Sequence, residues 1–119
     1  MNWYKTAQDK VVEIQSDLFQ ESGANASTDE DKIQEYINVM ERYGGWGNFP
    51  PVTGTLSAIS QTEFEIYQES EEGGYAYELG YSRPLTENDV GTVILHVEDG
   101  HNRAYAARRL GIPIKAKVY

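Results

Sequence analysis

A chain of 119 residues with 39% hydrophobic and 12% aromatic content reads as one folded globule rather than two domains or a disordered chain. With no cysteine it holds no disulfide, no thiolate metal site and no cysteine nucleophile. The formal charge of −9 is unevenly spread: residues 100–119 carry five cations and no acid, while the other five cations and nineteen acids leave residues 1–99 at −14, which disfavours sequence-independent binding to duplex DNA.

The opening "MNWYKTAQDK" has no apolar core of the kind a secretory leader carries, and no segment approaches membrane-spanning length. A soluble, cytoplasmic protein without a membrane partner is the expectation. Tyr4, Ala7, Val11, Ile14 and Leu18 recur at helical spacing, with Trp3 and Phe19 at the ends, and predict a helix over 3–19. Val11–Ile14 also fits a short strand. As a helix, its narrow apolar stripe would dock on the domain or pair with another chain, so a homodimer or protein partner is expected there. "ESGANAST" (21–28) is a loop, after which Ser27 and Glu30 have the spacing of a capping box. Ile33, Tyr36, Ile37 and Met40 then predict a helix over 29–43. This divides the chain into a helical extension and loop over 1–28 and a main domain over 29–119.

"GGWGNFPP" (44–51) stops the helix, because paired prolines cannot continue it. Trp46, flanked by glycines, is a loop anchor or a surface for stacking a base. A strand is expected over 52–59. The alternation of Phe64 and Ile66 with Glu63, Glu65 and Tyr67, and of Tyr75, Tyr77 and Leu79 beyond "ESEEGG", predicts a hairpin with an acidic tip. A buried strand over 92–97, a helix over 102–110 and a last strand over 112–118 complete an α+β pattern.

The densest polar cluster is "VEDGHNRAYAARRLGIP" (97–113), set between a strand and a helix. The first turn of a helix exposes N–H groups without intrahelical partners, at the positive end of the macrodipole, and so accepts a phosphate. Gly100 permits close backbone approach, Asn102 offers amide donors, Arg103 a bidentate fork, and His101 a hydrogen bond or a charge. Glu98 and Asp99 stand where a carboxylate holds Mg²⁺ or accepts a hydroxyl proton. The plain alternative is an Asp-Gly turn in which Asp99 or Asn102 caps the helix and Arg103 makes a surface ion pair. His96 reads as a core or edge residue of its strand rather than a zinc ligand.

"DGHNRAYAARRLGIPIKAKV" resembles the strand–turn–helix signature of the ParB/sulfiredoxin superfamily, and "DKIQEYINVMERYGGWGNFPPV" resembles the helix and Pro-Pro step upstream of it. The resemblance implies a small mixed sheet with a phosphate-binding strand–turn–helix. Sulfiredoxins carry a cysteine where His101 stands, so sulfinic-acid repair is excluded; chromosome-partition members continue into a helix-turn-helix, so DNA segregation is not expected of a chain ending at Tyr119. The spelling is closest to free-serine kinases and related ParB-like proteins. That implies phosphate binding by Gly100, His101, Asn102 and Arg103, and Asp99 facing an acceptor hydroxyl, as base or metal ligand. The glutamate those kinases carry before the first helix would fall near Ala26, with Glu21, Asp29 and Glu30 as stand-ins.

The expectation is therefore a domain that binds a nucleoside di- or triphosphate (ATP, ADP or CTP) with Mg²⁺. If it is catalytic, the chemistry is phosphoryl transfer or phosphate-ester hydrolysis, with Asp99, His101 and Glu98 as the catalytic group. A ParB-like nuclease and a non-catalytic binding module are the alternatives.

Overall fold

The computed structural model describes residues 10–21 and 28–119. Five strands form one mixed sheet: β1 (Val11–Ile14), β2 (Phe19–Glu21), β3 (Val52–Ala58), β4 (Val93–Asp99) and β5 (Ile114–Val118), in the order β1-β5-β3-β4-β2. The central pair, β3 and β4, is antiparallel, as is β1 with β5; β3–β5 and β2–β4 are parallel. Three helices pack on it: α1 (Glu30–Tyr43), α2 (Gln61–Glu72) and α3 (His101–Leu110). The α+β class is as expected.

The alternation of each strand divides the core in two. Phe19, Val52, Leu95, Val97, Ile114, Ala116 and Val118 join Ile33, Ile37 and Met40 of α1 and Ala104, Ala106 and Ala107 of α3. Ile94, next to Leu95 on β4 and on the other face, joins Leu18, Ile59 and Leu85 with Phe64 and Tyr67 of α2. Gly54 marks the centre of the sheet: the β3–β4 register shifts there, and a Cβ at this position would stand 2.1 Å from the His96 carbonyl oxygen.

Two expected elements differ. Val11–Ile14, as in the alternative reading, and Phe19–Glu21 are strands joined by a bend, and residues 11–19 form no helix. Leu18 and Phe19 are both fully buried on opposite faces of the sheet, which suits a chain of period two and no one-sided helical stripe. Ser16 is buried too, with its hydroxyl donating to the Ile112 carbonyl (2.6 Å). Ile14 and Leu18 thus belong to the core, and the docking stripe expected from them is absent; Trp3, Tyr4 and Ala7 lie outside the described residues. The hairpin is also replaced, by α2 and a 3₁₀ turn at Ala76–Leu79. Ser60 and Glu63 form a capping box that opens α2; Phe64, Tyr67 and Ser70 are buried at helical spacing, and Ile66 remains 47% exposed. The apparent alternation of Phe64 and Ile66 is incidental.

α1 begins one residue later than expected, capped by Asp29, whose carboxylate accepts from the N–H groups of Asp31 and Lys32. Ser27, the expected cap, lies outside the described residues. The expected partner in that box, Glu30, instead forms a bidentate pair with Arg109 of α3 (2.6 and 2.8 Å). Beside α2, Arg83 is held in a fork to Asp89 (both bonds 2.9 Å) and bonds Asp17; Asp89 also accepts from Thr86. These bonds to Arg83 and Thr86 hold the Asp89 carboxyl down to about 2.

Candidate functional site

β4 carries Asp99 to the edge of the α1/α3 face, and Gly100 turns the chain with φ of 96°, a conformation that disfavours a side chain. α3 then starts at His101 with no side chain of the described residues capping it. Its first intrahelical bond runs from the Ala104 N–H to the Gly100 carbonyl (3.0 Å), so the N–H groups of His101, Asn102 and Arg103 lie ahead of the helical ladder. A cleft of about 300 Å³ opens at this point, lined by Asp99, Gly100, His101, Asn102 and Arg103, and across from them by Lys32 and Tyr36 of α1. The five motif residues therefore form one wall. The cleft is polar and holds two cations, Lys32 and Arg103, beside the positive end of a helix.

The motif side chains divide by role. Arg103 is 14% exposed and reaches back over Gly100, its guanidinium 3.9 Å from the Asp99 carboxylate, which is 83% exposed. Asn102 uses its amide oxygen to accept the Asp29 N–H (2.9 Å), which ties the start of α1 to the start of α3 and leaves its NH₂ as the group that can meet an anion. His101 contributes to the wall, but its ring is 6% exposed and neither nitrogen has a hydrogen-bond partner among the described residues. Oε1 of Glu21, also buried, lies 4.0 Å from its Nδ1. Tyr105, one turn along α3, packs edge-on to Phe19 (5.0 Å); burial, with the charge and hydrogen bond of Glu21, pushes its hydroxyl up to about 12. Glu21, half-buried, thus stands by both the buried His101 and the half-buried Tyr105. Unsatisfied buried polar atoms are costly, and their concentration here marks the turn as a place built for more than packing.

Two expected site residues are elsewhere. Glu98 does not line the cleft: it falls in the β3–β4 register shift, and its carboxylate accepts the Tyr119 hydroxyl (2.5 Å). Trp46 is 7% exposed, packs in the α1/α3 core and donates its indole N–H to the Phe49 carbonyl (3.0 Å), so its face is not available to a base. Of the three stand-in acids, Glu21 reaches the motif histidine, Asp29 caps α1 and Glu30 pairs with Arg109.

Lys32 and Tyr36 are the cleft residues that the motif did not point to. Their i, i+4 spacing beside the Ile33–Ile37–Met40 stripe was the available signal, since a position flanking a buried stripe borders the packed neighbour. Among the described residues no group of three or more His, Cys, Asp or Glu is arranged to hold a metal ion, and no helix is long and apolar enough to cross a membrane. No protein-family model, curated protein or solved structure matches the chain.

Proposed function

We propose that this chain binds a nucleoside di- or triphosphate, its phosphates seated on the uncapped start of α3 between Arg103 and Lys32. The observation that carries the reading is the lining of the cleft: five consecutive motif residues, an uncapped helix start and two cations from two helices converge on one polar space of about 300 Å³. Arg103 would pair with phosphate oxygens through its planar fork, Lys32 would add a mobile point charge, and Asn102 would donate through its NH₂. Asp99 is the one carboxylate in the lining among the described residues, which suits Mg²⁺ bound by a protein oxygen and completed by phosphate oxygens and water. The same motif supports placing the chain among ParB/sulfiredoxin-like proteins.

The reaction class would be phosphoryl transfer or phosphate-ester hydrolysis, with Asp99 positioned to accept a hydroxyl proton. The burial of His101 and the orientation of Glu98 favour a second reading, a binding module without turnover, since only Asp99 of the three expected catalytic residues presents its side chain to solvent at the cleft. A thermal-shift panel of ATP, ADP, CTP and GTP, with and without Mg²⁺, tests binding; at ligand concentrations about 100-fold above Kd the stabilisation is about 2.7 kcal/mol. A rise in Tm with at least one nucleotide is expected, and no shift with any would reject the reading. Product formation with the stabilising nucleotide then separates enzyme from module.

A further inference from the structure

On the sheet face opposite the cleft, three polar side chains from three adjacent strands form a continuous hydrogen-bonded line. Ser57 Oγ lies 2.5 Å from His96 Nε2, and His96 Nδ1 lies 2.7 Å from Gln20 Oε1. The Gln20 NH₂ donates to the Leu79 carbonyl (2.7 Å), which fixes the amide with its oxygen toward the histidine. Nδ1 must then carry the proton it donates to Gln20, Nε2 is the bare nitrogen, and the Ser57 hydroxyl is its donor. Their chain neighbours Phe19, Leu56 and Leu95 belong to the core on the other side, so alternation places all three on this face. Ser57 and His96 are only half-buried. Burial holds the His96 pKa below the ordinary histidine value, against the charge of Glu63 from α2, which also interacts with the Tyr81 hydroxyl. The imidazole is therefore a neutral, oriented base at pH 7.

We infer that Ser57 is a nucleophile toward activated carboxylic esters, with His96 as its general base and Gln20 as the residue that sets the tautomer. In the step, the Ser57 Oγ–acyl bond forms as its proton passes to His96 Nε2; the ester C–O bond breaks and the leaving alkoxide takes that proton. Water then attacks the acyl group, giving one proton to Nε2, which returns it to Ser57 as the acid departs. The arrangement has the logic of a serine–histidine relay with a neutral orienting amide in place of a carboxylate.

The probe is a fluorophosphonate, read by intact-protein and peptide mass spectrometry on the full chain. Expected is one adduct, on Ser57, absent in Ser57→Ala and slowed at least tenfold in His96→Ala. Labelling should persist below pH 6.5, because a depressed pKa keeps the base neutral there, and fall off at lower pH. Gln20→Glu puts a carboxylate on Nδ1 and should move that acid limb to higher pH, a displacement that a purely structural network would not produce. No adduct, an adduct elsewhere, or a pH profile indifferent to Gln20→Glu would overturn the assignment; the last two measurements stand even where His96→Ala fails to fold.

Discussion

The molecule contains two strand–turn–helix units on opposite faces of one sheet, and their helices begin in contrasting ways. β3 passes through Ser60 into α2, where the serine hydroxyl and the Glu63 carboxylate satisfy N–H groups reciprocally. β4 passes through Gly100 into α3, where no side chain of the described residues caps the start and a polar cleft stands open. The first unit completes its own hydrogen bonding and needs nothing further. The second leaves helix-start N–H groups, two nearby cations and a buried histidine without a hydrogen-bond partner among the described residues, which is where the proposed anion would sit. On the proposed reading, the contrast separates a helix end that serves the fold from one kept for a ligand.

Arg103→Ala should break the contrast most sharply. Loss of a charge-assisted phosphate partner costs about 1.5–3 kcal/mol, so ATP affinity by calorimetric titration should fall by about one to two decades. Circular dichroism should remain native, because Arg103 pairs only loosely with exposed Asp99. Asp99→Asn should instead keep or slightly tighten binding while abolishing any turnover, since it retains the shape but removes the proton acceptor and metal ligand.

On the α2 side, the effect to look for is acid sensitivity. The Asp89 carboxyl is depressed from 3.8 to about 2 by Arg83, so its contribution is fully present above about pH 4 and is lost as pH falls through 2. Arg83→Gln should remove on the order of 2 kcal/mol at pH 7. Its effect should shrink toward pH 2 in denaturant titrations. A variant whose deficit is independent of pH would show that the fork does not stabilise the fold through ionised Asp89. Nucleotide binding at pH 7 should be unchanged where the variant is folded.

Ser60→Ala removes one member of the capping box and should cost about 1 kcal/mol, seen as a lower Tm with unchanged ATP affinity. A loss of affinity instead would mean that the two helix starts are coupled. Lys32→Ala should be the mildest, weakening ATP binding only severalfold, because an exposed point charge contributes less than a bidentate fork.

How these units could be read from sequence differs in the same way. Asp99–Arg103 was legible because its chemistry is compact: a glycine at φ 96°, flanked by an acid and by His-Asn-Arg, is local information. The strand and helix on either side followed from the apolar run and the Gly-x-Pro stop. α2 was misread, although Ser60-x-x-Glu63 was present, because Phe64 and Ile66 also satisfy period two and only the packing of Tyr67 beside Ile94 and Tyr81 decides between them. The helix reading of residues 11–19 missed for a related reason, and of the two readings of Val11–Ile14 it is the short strand that holds. β1 pairs with β5, about 100 residues away in sequence, and β2 with β4, about 75 residues away, and no local pattern reports such partners. Within the site, burial was the hidden variable. Nothing in "DGHNR" says that His101 turns inward toward Glu21, nor does the glycine-rich setting of Trp46 reveal that its ring fills the core.

The central claim, that the open start of α3 holds phosphate while the capped start of α2 does not, is tested most directly by following backbone amides with ¹⁵N–¹H correlation spectra during titration with Mg·ATP. The account predicts saturable shifts at Gly100, His101, Asn102 and Arg103, with smaller shifts at Lys32 and Tyr36, and none at Gln61–Glu63. Spectra in which the Gly100–Arg103 amides stay fixed at millimolar nucleotide, or move no more than those of α2, would contradict it.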